Sequence, residues 1–100
     1  MQNRCVITGL GVISAIGQGV EENRKNILAS KSGIDHTRTL DTENCYADFA
    51  AEVKDFTETD PKLDRATALC LSATGEAVAD AGFSDFGGDP RVSVIMGSCV

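Results

Sequence analysis

Cys5-Val6-Ile7-Thr8-Gly9-Leu10-Gly11-Val12-Ile13-Ser14, followed by Gly17 and Gly19, is the stretch on which the fold of this chain turns. An apolar, strand-like run over Cys5 to Ile7 enters two glycines that flank one leucine, and Val12-Ile13 keeps the thread apolar beyond them. Glycine has no Cβ, so backbone can approach backbone there, and the pattern predicts an interior thread rather than a surface loop. The rival is a dinucleotide fingerprint, because Gly9-Leu10-Gly11 reads as the first half of G-x-G-x-x-G. It fails on three counts: Ser14 replaces the third glycine, apolar residues run on to Ile16 where a helix should open, and the first helix signal waits until Val20-Glu21-Glu22.

Working outward, the 100 residues suffice for one domain with a core of its own, and 42% hydrophobic with 24% charged residues is ordinary globular composition. Aromatic residues are few, and Ala, Val, Leu and Ile dominate the apolar set, which suits close-packed α/β layers. A net charge of -6 argues against nucleic acid or an anionic membrane as the main partner, since both need a basic footprint. No apolar run has the length of a membrane span, and no basic segment leads an apolar one at the N-terminus, which predicts a cytoplasmic protein.

Cys5, Cys45, Cys70 and Cys99 lie far apart, with His36 as the single imidazole, so neither zinc spacing nor a disulfide framework is present. Cys5 and Cys70 stand in apolar stretches and are predicted to be small buried hydrophobes. Cys45 falls in a polar loop and Cys99 follows a strand. Neither has the basic neighbour or helix N-terminus that lowers a thiol pKa. His36, between Asp35 and Thr37, is predicted to be a solvated loop residue.

A first helix is predicted over Val20 to Ser30, with Glu21 and Glu22 at its start, Lys31 past its end and Gly33 as terminator. Ile34 to Asn44 is polar and unpatterned, a predicted loop. Ala47, Phe49, Ala51 and Val53 then alternate with Asp48, Ala50 and Glu52, the period of a half-buried strand, and Asp55 to Thr59 forms a second polar connection. A long helix is predicted next, capped by Asp60 with Pro61 in its first position and closed by Gly82. Ala66, Leu69, Cys70, Ala73, Ala77 and Ala81 repeat along it at three- and four-residue steps. So small a stripe predicts unusually close packing against a neighbour, with Asp64, Glu76 and Asp80 at the polar positions. Gly87-Gly88-Asp89-Pro90 is a turn, and Val92 to Met96 reads as a central strand. The order is strand, helix, weak strand, long helix, strand. A central strand is normally followed by a helix that covers it, so a chain stopping at Val100 reads as the front portion of a longer protein.

These residues resemble the N-terminal segment of the β-ketoacyl synthases, condensing enzymes of the thiolase-like fold. The resemblance runs through Arg4 to Ser14, Gly17, Lys31-Ser32-Gly33-Ile34, Asp64-Arg65, Glu76-Ala77, Asp80-Ala81-Gly82 and Met96-Gly97-Ser98, ordered motifs at family-like separations. Three positions depart from the pattern: Ala15 replaces a common proline, Glu22-Asn23-Arg24 lacks the usual aromatic, and Cys99 stands at a glycine position.

The resemblance implies an α/β fold: the start of the first half of a thiolase-like architecture, layered, with a mixed sheet covered by helices. Residues 1–100 would be the N-terminal part of a β-ketoacyl synthase domain with its catalytic remainder absent. Such enzymes move an acyl group from a carrier protein to a cysteine, then decarboxylate a malonyl thioester and join the two carbon chains. That chemistry needs an activated thiolate, two basic side chains and oxyanion donors, with no cofactor or metal, and none of the set is expected in this chain. Its implied partners are acyl carrier protein and acyl thioesters, with a homodimer for the full-length enzyme. The implied substrate-binding residues are Ser98, Cys99 and Val100, at the exit of the last strand, where Val100 would help set acyl length. A polyketide or secondary-metabolite ketosynthase, including a chain-length partner subunit, has the same visible features. A non-enzymatic α/β ligand-binding module is the reading of a different class.

Overall fold

In the computed structural model, which describes residues 2–57, 60–83 and 87–99, the Gly-rich thread runs along a long helix before folding into a small hairpin. That hairpin pairs β1 (Ile13–Ser14) with β2 (Gly17–Gln18) antiparallel, Ile13 opposite Gln18 and Ser14 opposite Gly17. Gly19, at φ 102°, then turns the chain into α1 (Val20–Leu28). A second antiparallel pair, β3 (Ile34–His36) with β4 (Phe49–Ala51), sets Ile34 opposite Ala51 and His36 opposite Phe49. The long helix α2 (Arg65–Ala81) follows, and residues 87–99 return along it without regular structure.

Both helix ends have clear causes. Asp64 caps α2, its carboxylate accepting the Thr67 N–H at 2.9 Å and the Thr67 hydroxyl at 2.8 Å. The predicted start at Asp60-Pro61 is therefore corrected: those residues form a separate turn, closed by Leu63 N–H donating to the Asp60 carbonyl at 3.1 Å. Gly82 ends α2 as predicted, in the left-handed conformation at φ 73°, with Phe83 and Gly82 N–H groups donating back to Val78 and Ala79. In α1 the same closing motif is made by Ser30 at φ 55°, with Lys31 N–H reaching the Asn26 carbonyl at 2.9 Å. Gly33 is thus not the terminator. A Cβ there would come within 2.6 Å of the Ala15 Cβ, so close approach between segments is what requires its glycine.

Other expectations are revised. The region predicted as a loop from Ile34 begins with β3, because its alternating residues find Phe49–Ala51 as a partner strand; β4 in turn is shorter than the predicted Ala47 to Val53. Cys5 to Ile7 and Val92 to Met96 carry no strand ladder among the described residues. A ladder needs a partner's N–H and C=O groups, and no described strand pairs with these runs. Their side chains stand open as well: Val6 is 79% exposed, Ile7 83% and Ile95 90%. Cys5, predicted buried, is exposed with them.

Ala68 is the one buried apolar residue among those described, and Asn23 the one buried polar residue. The radius of gyration is 16.8 Å, against about 13 Å for a compact domain of this length. These residues therefore do not close a core of their own, contrary to what chain length alone suggests.

Candidate functional site

The best-built feature of the molecule is the crossing of the Gly-rich thread over α2. Ala73, Ala77 and Ala81 recur one helical turn apart, and Gly9 and Gly11 recur every second residue of the extended thread, so each glycine meets one step of the alanine row. A Cβ on Gly11 would overlap the Ala73 carbonyl oxygen and lie 2.7 Å from the Ala77 nitrogen. One on Gly9 would overlap the Ala77 carbonyl and lie 2.6 Å from the Ala81 nitrogen. The predicted close-packed alanine face is present here, whereas the thread predicted to be interior is half-buried at its glycines and 53% exposed at Leu10. The stripe is rotated slightly from its predicted position, since Ala66 is exposed while Ala68 is buried.

Two carboxylates on α2 complete the crossing. Leu10 N–H donates to Asp80 Oδ2 at 2.9 Å, Val12 N–H to Glu76 Oε2 at 3.0 Å, and Val20 N–H to Glu76 Oε1 at 2.7 Å. These are the donors a dinucleotide's phosphates would need, and each already faces a negative charge. The helix N-terminus at Val20 is likewise taken by Glu76, so these amides are occupied by the protein's own carboxylates rather than open to a phosphate.

Asn23 is the second organising residue, and sequence reasoning missed it. Its side-chain amide donates to the Gly17 carbonyl at 2.9 Å and the Gly19 carbonyl at 2.8 Å, while the Ser14 hydroxyl bonds its Oδ1. Asn26 donates to the Ile16 carbonyl. An asparagine in the first turn of the predicted helix, four residues after a glycine, was the available signal.

Between the thread, α2 and the returning segment lies an open apolar groove of about 410 Å³, bordered by Gly9, Gly11, Ala73, Ala77, Phe83 and Met96. The half-buried Cys70 faces it, with its Sγ 3.9 Å from the Thr74 hydroxyl. Of the predicted substrate-binding residues, Ser98 and Cys99 are exposed beyond the Met96 end of this groove. Val100 lies outside the described residues.

His36 is exposed as predicted, though it sits in β3 rather than a loop. Its Nδ1 bonds Asp48 Oδ2 at 2.7 Å and its ring lies 4.4 Å from that of Phe49, its cross-strand partner. Among the described residues no thiol is hydrogen-bonded to it, and no cluster of three His, Cys, Asp or Glu side chains is placed to hold a metal ion. Charge on this arm is locally balanced. Asp35 is held below the usual carboxylate range by the His36 N–H and by Lys54, whose Nζ is 3.2 Å away, and Glu52 is lowered by the Thr39 hydroxyl and the Arg38 N–H. No described helix is long and apolar enough to cross a membrane.

The fold and the crossing place the chain among α/β proteins, and the comparisons give its class. Residues 2–100 match the beta-ketoacyl synthase N-terminal domain, and the chain belongs to that family, with its thiolase-like α/β fold. It is 38% identical over 85 residues to 3-oxoacyl-[acyl-carrier-protein] synthase 2 of Staphylococcus aureus strain COL, covering 78% of this chain and 20% of the relative. Against the synthase 2 of Coxiella burnetii it is 33% identical, covering 97% of this chain and 25% of that protein. The solved ishigamide ketosynthase/chain length factor superposes with a TM-score of 0.72 at 38% identity, over 79% of this chain and 21% of that one. The chain thus spans about a fifth to a quarter of the relatives it matches.

Proposed function

We propose that this chain is the N-terminal part of a 3-oxoacyl-[acyl-carrier-protein] synthase of fatty acid biosynthesis, an acyltransferase performing decarboxylative Claisen condensation. In that reaction the malonyl thioester loses carbon dioxide, its C2 forms a bond to the acyl carbonyl, and the acyl group's thiol leaves. The observation that carries the reading is the match over residues 2–100, spanning the Gly-rich crossing and α2, to relatives bearing that name. A secondary-metabolite ketosynthase or chain-length partner shares the architecture, and the relatives' names favour the fatty-acid reading.

The segment's part is scaffolding. Residues 1–100 are the N-terminal portion of a synthase domain, and the nucleophile and its basic partners belong to the rest of the polypeptide. The exposed Val6, Ile7, Val94 and Ile95 form the surface that rest would cover. Ser98, Cys99 and Val100 border the acyl pocket, acyl carrier protein delivers the thioesters, and the full enzyme works as a cytoplasmic homodimer. The test is to express the full reading frame containing this segment and supply acyl- and malonyl-carrier thioesters. The expected product is the 3-oxoacyl-carrier with carbon dioxide release, read by mass spectrometry. Formation of neither overturns the proposal.

A further inference from the structure

We infer that Glu76 is a positioning residue whose one carboxylate locks the foot of the hairpin between residues 12 and 20, so that the Gly-rich crossing and the first turn of α1 are held as one unit. Its two oxygens serve two segments: Oε2 takes the Val12 N–H that closes the thread, and Oε1 takes the Val20 N–H that opens the helix. Between them the Gly19 N–H donates to the Val12 carbonyl at 2.9 Å, so residues 12, 19 and 20 converge at this side chain. Gly19 is bound into the same joint. Its positive φ presents the Val20 N–H, and a Cβ there would stand 3.3 Å from Glu76 Oε1.

The geometry explains why a helix can do this to an extended thread. Four residues of α-helix rise about 6.0 Å, and two residues of extended chain about 6.6 Å. Glu76 and Asp80, one turn apart, therefore fall opposite alternate N–H groups, those of Val12 and Leu10. Glycine spacing and carboxylate spacing specify the same register. A slip of one helical turn would drive Ile7 or Ile13 into the Ala77 or Ala73 carbonyl and take both acceptors away from their donors.

The two acids are not equivalent. Asp80 holds the thread alone, whereas Glu76 also accepts the first N–H of α1, one of the donors that has no partner within the helix. A glutamine at 76 has one acceptor oxygen, and its amino group would face the second N–H donor as another donor.

The test uses the full-length protein containing this segment, isotopically labelled. In the wild type, scalar couplings across hydrogen bonds are expected from both the Val12 and the Val20 amide to the Glu76 side-chain carboxyl carbon. Their absence overturns the inference, and this readout does not depend on any variant folding. In Glu76→Ala, which removes both acceptor oxygens, exchange of the Val12 and Val20 amides should rise together, by about tenfold or more, with Leu10 changed by less than about threefold. Asp80→Ala should do the reverse. A Glu76→Ala protein in which one of the pair opens without the other, or neither opens, overturns the shared lock. So does Asp80→Ala releasing all three amides alike, because packing rather than Glu76 would then hold the foot.

Discussion

A carbonyl oxygen, not a side chain, is what forbids a methyl group at Gly11. The Ala73 carbonyl belongs to the backbone of α2 and cannot move without breaking the helix, so the obstruction has no soft partner. Gly11→Ala should destabilise by about 1–3 kcal/mol through overpacking. Gly97→Ala is the control, since nothing lies within 4 Å of a Cβ there. It should stay within about 0.5 kcal/mol of wild type in the same urea titration. Asp64 gives a residue-level prediction in pH. Hydrogen bonds from the Thr67 N–H and hydroxyl hold its carboxyl below the usual range, so the folded state favours its ionised form. That contribution is complete above the unfolded carboxylate pKa of about 4 and fades as pH falls through the lower folded value. Asp64→Asn keeps a capping oxygen but has nothing to titrate. Helicity followed by circular dichroism down to low pH should fall less steeply in that variant than in wild type.

At the scale of elements, α2 is the part of the chain most completely accounted for, with a side-chain cap, a left-handed glycine stop and an alanine row under the thread. Ala73→Leu should cost about 1–3 kcal/mol. Combined with Gly11→Ala it should cost less than the sum, because both changes act at one contact. Additive effects in a double-mutant cycle would mean that the two residues do not meet. The extended runs behave differently. Val94 is 72% exposed and Ile95 90%, on a segment whose backbone groups lack a ladder. Open edges with apolar side chains favour pairing with other chains. Ile95→Lys should leave the unfolding midpoint unchanged and reduce self-association of the chain in light scattering.

For the whole molecule, the described residues form an open arrangement with one buried apolar residue and no thiol hydrogen-bonded to the single histidine. The chain by itself should show no turnover with acyl- and malonyl-carrier substrates. Activity abolished specifically by iodoacetamide modification of Cys99 would contradict this. In the complete parent enzyme, Val100→Phe should exclude long acyl primers and spare short ones, because a close-packed pocket cannot absorb the added volume. An equal fall in specificity for every primer length would instead mark Val100 as a packing residue and remove it from the pocket.

The sequence by itself determined what depends on neighbours along the chain. The helix on Val20, the stop at Gly82 and the alanine row were all legible, because turn chemistry and periodicity act within a few residues. Ordered motifs from Arg4 to Ser98 likewise made the family readable. The cap at Asp64 rather than Asp60 is local as well, because Thr67 lies three residues beyond it with both its N–H and its hydroxyl available to the carboxylate. Tertiary structure decided the rest. Ile34–His36 became a strand only because Phe49–Ala51 came alongside. Glu76 read only as a polar position of the helix, and its role emerged from partners 56 and 64 residues away. Cys5 to Ile7 and Val92 to Met96 had the composition of buried strands and stand exposed. Burial and pairing belong to two surfaces, and an apolar pattern specifies only one of them.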